Sequence, residues 1–151
     1  MPAPPFEVRP VNWNASREKL RAVRKVVFID EQNVPEDLEW DDADERSYHV
    51  LACDDEGEPI GTGRLNPVGQ IGRMAVVKEW RGRGVGAAIL QALVTLAGKE
   101  GLSLVRLHAQ THALEFYAKH GFTAVGGEFD EAGIRHRAME LRLEPAPLEI
   151  E

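Results

Sequence analysis

The stretch Met74-Ala75-Val76-Val77-Lys78-Glu79-Trp80-Arg81-Gly82-Arg83-Gly84-Val85-Gly86-Ala87 constrains the fold most, because it runs from an apolar strand through three alternating glycines into a helical pattern. Residues without a β-carbon let successive N–H groups turn toward one anion, and glycine supplies the positive φ that such a turn needs. The helix that follows brings its positive dipole end to the same place. Arg81 and Arg83 add planar donors suited to phosphate oxygens. A strand, loop and helix of this kind suit a diphosphate ligand.

Gly82-x-Gly84-x-x-Ala87 also satisfies the dinucleotide fingerprint G-x-G-x-x-G/A, which calls for an acidic ribose-binding residue about 20 residues later at a strand end. The next strand here ends Leu107-His108-Ala109-Gln110, without an acid, and Phe6 to Asn14 lacks the N-terminal strand-glycine-helix unit of a Rossmann domain.

At 151 residues the chain suits a single domain over 1–151, with loose ends at about 1–5 and 144–151. A chain of this size buries about 70% of its unfolded surface. A net charge of −7 argues against a nucleic-acid partner, whose phosphates call for a basic footprint. The one cysteine, Cys53, rules out an internal disulfide framework and suits a reducing compartment, where it reads as a small buried strand residue. With no charged leader and no run of about 18 apolar residues, the expectation is a cytoplasmic protein without a membrane partner.

In chain order, Phe6 to Arg9 reads as a short strand, and Asn14 or Ser16 as the cap of a helix with Leu20, Val23, Val26 and Val27 on one apolar face. Pro35 ends it. Glu36 to Glu45 holds seven acids and reads as a loop, either a solvated stretch or an acidic lip that gathers a cationic amine. Tyr48–Asp54, Pro59–Leu65 and Gln70–Val77 are expected as three antiparallel strands. After the glycines, Val85, Ile89, Leu93 and Leu96 form a helical stripe that Leu90 and Val94 widen, so the helix lies against the sheet. Leu102 to Ala109 must then run parallel to the Gln70 strand, because a helical crossover separates them. Thr111 to His120 is a short helix closed by Gly121. Phe122–Phe129 and His136–Leu143 form a closing hairpin across a long charged turn, Asp130 to Arg135.

Arg81-Gly82-Arg83-Gly84-Val85-Gly86 resembles the acyl-CoA motif Q/R-x-x-G-x-G/A of the GNAT superfamily of N-acetyltransferases. Gln110 through Phe122 is similar to that family's second motif, N-x-x-A-x-x-x-Y-x-x-x-G-F, with Gln110 in place of Asn. Val27 through Pro35, and Glu128 through His136 with Met139, resemble the ElaA/YjcF-like branch. The resemblance covers nearly the whole chain. It implies an α+β protein with the acyl-CoA N-acyltransferase fold, a central mixed, mostly antiparallel sheet flanked by helices.

The same resemblance implies acetyl transfer from acetyl-CoA to a primary amine, by direct attack in a ternary complex and without a metal. The N–H groups of Gly82, Arg83, Gly84, Val85, Gly86 and Ala87 would hold the CoA pyrophosphate, aided by Arg81 or Arg83. Met74, Ala75 and Val76 would pair with the pantetheine arm as if it were an added strand. The sheet would splay beside them, and a strand N–H near Val76 would stabilise the oxyanion. Gln110 and Tyr117 complete the donor site, with Tyr117 in the place of the general acid. For the general base, Glu31 is the first choice because it leaves the substrate-side helix beside the cleft, and Glu128 and His136 on the closing hairpin come next. His108, between apolar Leu107 and Ala109, reads as a satisfied core histidine. The expected acceptor is a small cationic amine, with a protein amine as the alternative. A homodimer through the closing strands is compatible with the fold. The rival reading is a CoA-binding sensor that has lost turnover, against which Tyr117 stands.

Overall fold

Along β2 (Tyr48–Asp54) the side chains alternate between two cores, as the two-residue period of a strand requires. Val50 and Ala52 join the larger cluster with Ile89, Leu90 and Leu93, whereas Leu51 and Cys53 pack with Trp13 and Leu20. A helix therefore covers each face of the sheet.

The computed structural model describes residues 5–143, so the loose ends expected at the two termini fall, apart from Pro5, outside the described residues. The other strands are β1 (Phe6–Val11), β3 (Pro59–Leu65), β4 (Gln70–Val76), β5 (Leu104–Gln110), β6 (Thr123–Glu131) and β7 (Ile134–Arg142). They form one sheet in the order β1-β2-β3-β4-β5-β7-β6. Only β4 and β5 pair in parallel, and α3 (Val85–Lys99) makes the crossover between them. Among the described residues no helix is long and apolar enough to cross a membrane.

α3 can lie close to the sheet because β3 is bare beneath it. A β-carbon at Gly63 would come within 2.7 Å of side-chain atoms of both Ile89 and Leu93, so any larger residue forces those side chains or the helix that carries them to shift. The buried stripe of α3 runs Val85, Ile89, Leu93 and on to Ala97; the expected Leu96 and Val94 are only half-buried.

Several boundaries differ from the sequence expectation. Asn12, not Asn14 or Ser16, caps α1 (Trp13–Arg24): it is the last extended residue, and its side chain accepts from the N–H groups of Asn14 at 2.9 Å and Ala15 at 3.3 Å. From Lys25 to Glu31 the helix continues with π geometry. The wider turn rotates the apolar face, so Val27 stays buried while Val26 is left 47% exposed. The closing hairpin is longer than expected and its turn shorter. Ala132 and Gly133 both take positive φ, 52° and 76°, which makes a two-residue turn matched to the strand twist.

The acidic run is not a loop. Glu36–Glu39 forms a short helix, α2, and Asp42–Arg46 a 3-10 turn. Glu39 and Asp44 are buried, and Arg24 from α1 bonds both, at 2.6 Å and 2.8 Å. Arg64 reaches Asp41 at 2.8 Å and Asp44 at 2.9 Å. The segment is folded around arginines from distant parts of the chain. Truncating Arg24 removes the closest cation from two buried carboxylates and leaves Asp44 to Arg64 and Glu39 to Arg73, so Arg24→Ala should lower the unfolding free energy in a urea titration by about 3 kcal/mol. Asp37→Asn, at an exposed position of the same segment, should change it by less than about 0.5 kcal/mol in the same urea titration.

Candidate active site

β4 and β5 share only two paired positions, Gln70 with Arg106 and Ile71 with Leu107, and then part. The cause lies on the other side of β4. Between the pairs Thr62–Ala75 and Arg64–Gly72, two residues, Arg73 and Met74, face the single Gly63 of β3. This bulge puts Arg73 at φ 50°, a left-handed conformation that a side chain rarely adopts. The Thr62 hydroxyl donates to the Arg73 carbonyl at 3.0 Å, and the Arg73 guanidinium donates to the carbonyls of Leu38 and Glu39 and to Asp41. The gap opens into a cavity of about 920 Å³, with Met74, Ala75 and Val76 on one wall and His108 and Gln110 on the other. The expected splay is present.

At the loop, Gly82 and Gly84 adopt φ 76° and 86°, and no atom would touch a β-carbon at either position. Backbone conformation alone therefore calls for glycine there. Gly84 is the N-cap of α3 and has no side chain to satisfy the first helical N–H groups, which remain available to an anion.

Arg81 is engaged elsewhere. Its guanidinium forms a two-point ion pair with Glu31, at 2.6 Å and 2.7 Å, while its Nε–H donates to the Val76 carbonyl at 3.0 Å. Arg83 lies over the Trp80 ring, 5.1 Å from its centre. It has no carboxylate partner among the described residues, which makes it the freer of the two toward phosphate.

Tyr117 lines the cavity, with its hydroxyl 3.7 Å from the Met74 sulfur. Burial pushes its phenol up to about 12, so it holds its proton throughout the neutral range. Gln110, on the opposite wall, exchanges two side-chain hydrogen bonds with Gln32, at 2.9 Å and 3.2 Å, and so ties the end of β5 to the π-helical segment.

The three expected bases fare differently. Glu31 reaches the cavity, but the hydrogen bonds from Arg81 hold its carboxyl below the usual range, which makes it an ion-pair partner and a weak proton acceptor. Glu128 is not on the cavity wall. The strand register shifts between Val125 and Glu128, and the side chain pairs with Arg135 at 3.3 Å. His136 lines the cavity, almost fully buried, with Nδ1 2.7 Å from the Ile134 carbonyl.

His108 is not a core residue. Val105, Leu107 and Ala109 take the buried face of β5, and the strand period turns His108 toward the cavity, where Nδ1 lies 3.1 Å from Glu131. Glu131 itself was absent from the expected set. Recognising Ala132-Gly133 as a two-residue turn would have placed Glu131 on β6 opposite Ile134, two residues from His136. Among the described residues no group of three His, Cys, Asp or Glu side chains is arranged to hold a metal ion.

The comparisons with known proteins agree with this architecture. Residues 15–143 match the acetyltransferase (GNAT) domain. The chain is 41% identical over 121 residues to the uncharacterized N-acetyltransferase YjcF of Bacillus subtilis, an alignment covering 78% of this chain and 86% of that protein. It superposes on Escherichia coli ElaA with a TM-score of 0.79 and 27% identity, over 89% of this chain and 99% of that one. On an acyl-CoA N-acyltransferase from Pseudomonas aeruginosa the TM-score is 0.80 and the identity 25%, over 91% of this chain and 99% of that one. A match over nearly the whole domain thus joins the split sheet and the glycine loop, and the chain belongs to the GNAT superfamily of acetyl-CoA-dependent N-acetyltransferases, in its ElaA/YjcF-like branch.

Proposed function

We propose that the protein transfers the acetyl group of acetyl-CoA to a small cationic primary amine, by direct attack in a ternary complex. The observation that carries this reading is a half-buried, protonated Tyr117 on the wall of the gap between β4 and β5, beside Met74 of the open strand. In this reading the N–H groups from Gly82 to Ala87 bind the pyrophosphate with Arg83. Met74, Ala75 and Val76 pair with pantetheine, and a strand N–H near Val76 stabilises the oxyanion. Gln110 must exchange Gln32 for the donor if it is to take part.

The amine nitrogen attacks the thioester carbonyl, the carbon–sulfur bond breaks, and the thiolate leaves toward Tyr117. A phenol at about 12 is a weak acid against a thiol near 8.5, so its main contribution is a hydrogen bond to sulfur as charge develops there. Of the expected bases we retain His136 to take the ammonium proton, because it is the one on the cavity wall without an arginine partner. Three acids of the run, Glu39, Asp41 and Asp44, are not free to hold the amine, because Arg24, Arg64 and Arg73 match them. Of the carboxylates lining the cavity, Glu31 and Glu39 are held by arginines and Glu131 is not. We further infer a cytoplasmic protein from the unpaired, buried Cys53, and dimer formation through the exposed edge strand β6.

Acetyl-CoA should bind saturably in calorimetric titration while NAD does not. Gly84→Glu should lose that binding, because it sets both a side chain at positive φ and a negative charge in the loop. Tyr117→Phe should lower kcat by about 100-fold while leaving acetyl-CoA affinity within about twofold. The pH dependence has a definite sign. Because the folded phenol is raised above its unfolded value, its contribution to stability is complete below about pH 10 and is lost as pH rises toward about 12. The wild-type rate should accordingly show no alkaline limb from Tyr117 below about pH 10, and the last tyrosine step in an ultraviolet titration should be missing from Tyr117→Phe.

A further inference from the structure

The donor chemistry leaves one cluster on the cavity wall unused, Glu131 with His108 and His136. His136 Nδ1 lies 2.7 Å from the Ile134 carbonyl. A carbonyl only accepts, so Nδ1 carries a proton, and whenever the ring is neutral its Nε2 presents a lone pair. That lone pair faces Glu131 Oε2 at 3.7 Å. Two acceptors confront each other there, too far apart for a hydrogen bond and close enough for one nitrogen between them to donate to both. The other carboxylate oxygen is occupied, since His108 Nδ1–H donates to Oε1 at 3.1 Å. Phe129 fixes both rings, stacked on His136 with centres 6.0 Å apart and edge-on to His108 at 5.0 Å.

We propose that Glu131 Oε2 and His136 Nε2 form the acceptor subsite for a primary alkylammonium group, with His108 as the residue that positions Glu131. The proposal rests on the acetyl-transfer reading and deepens it. The bound ammonium donates one N–H to Glu131 and one to His136. Its proton passes to Nε2, the nitrogen keeps the electron pair, and Glu131 stabilises the resulting imidazolium. The neutral amine then attacks the thioester carbonyl, the carbon–sulfur bond breaks, and the thiolate takes the second amine proton by way of Tyr117. No further reactant is needed. A quaternary ammonium has the charge but neither N–H donors nor a proton to give up. The charged and titratable groups facing the subsite are Glu131 on β6 and His108 on β5, while His112, Tyr117 and the Glu31–Arg81 pair line the same cavity.

The test is an NMR titration of the histidine side-chain nitrogens with butylamine and, separately, tetramethylammonium. Butylamine should move the His136 Nε2 signal saturably and tetramethylammonium should not. Glu131→Gln should weaken the butylamine response at least about tenfold, as expected when a charged hydrogen-bond acceptor is lost, and Glu131→Asp should recover part of it. With butylamine and acetyl-CoA, the thiol release lost in His136→Gln should be partly restored by added imidazole. Calorimetric acetyl-CoA affinity should be the same in all these variants. An equal response to the two cations, an unmoved His136 signal, or a Glu131→Gln variant that binds butylamine like the wild type would overturn the subsite. Failure of the wild type to bind acetyl-CoA would instead overturn the acetyl-transfer reading beneath it.

Discussion

The site depends on one unfavourable backbone conformation. Arg73 at φ 50° costs on the order of 1–3 kcal/mol, and that bend carries β4 away from β5. The surroundings hold it in place. The guanidinium of the bent residue donates to Leu38, Glu39 and Asp41, while Arg24 and Arg64 gather Glu39, Asp41 and Asp44 into the same network. The acidic segment is therefore a clasp for the bulge. Burial pushes the Glu39 carboxyl up despite its three arginine neighbours, so the network holds a group that charge pairing only partly compensates. Such a clasp is justified by the geometry it enforces more than by net stability.

How far each part was legible in the sequence follows from how local its cause is. β2 and β3 carry their own alternation and turn signals, and the expected bounds Tyr48–Asp54 and Pro59–Leu65 are those observed. The glycine loop writes its conformation into three residues. The acidic run could not be read the same way, because its partners lie 15 and 20 residues away for Arg24, 20 and 23 for Arg64, and 32 for Arg73 to Asp41. With the pairing unseen, seven acids resemble a solvated loop. His108 failed for a different reason: its apolar sequence neighbours suggested a core position, but in a strand adjacent side chains point to opposite faces.

The two halves of the cavity differ in the same way. The proposed donor half is built from backbone, with strand edge and loop N–H groups set by residues close together in sequence. The proposed acceptor half is built from side chains on β5, β6 and β7, brought together only when the strands pair in the right register. A motif can announce the first. The second emerges from topology, which is why the sequence points to Glu128, after Glu31, and not to Glu131, three residues later on the same strand.

The gap between β4 and β5 also has a meaning as a sheet edge. Unpaired strand groups ordinarily invite another chain to add on, and folds cover or distort such edges. Here the open edge faces into the molecule. Core side chains and α3 lie on one side and the π-helical segment on the other, with Arg81 covering the Val76 carbonyl. An intruding peptide would have to place side chains alternately above and below the sheet, where Tyr117 and Phe28 already stand. A slender amide chain without side branches meets no such obstacle. The molecule thus keeps a permanently unfinished ladder without becoming adhesive, because the notch discriminates by girth before any group in it makes a specific contact.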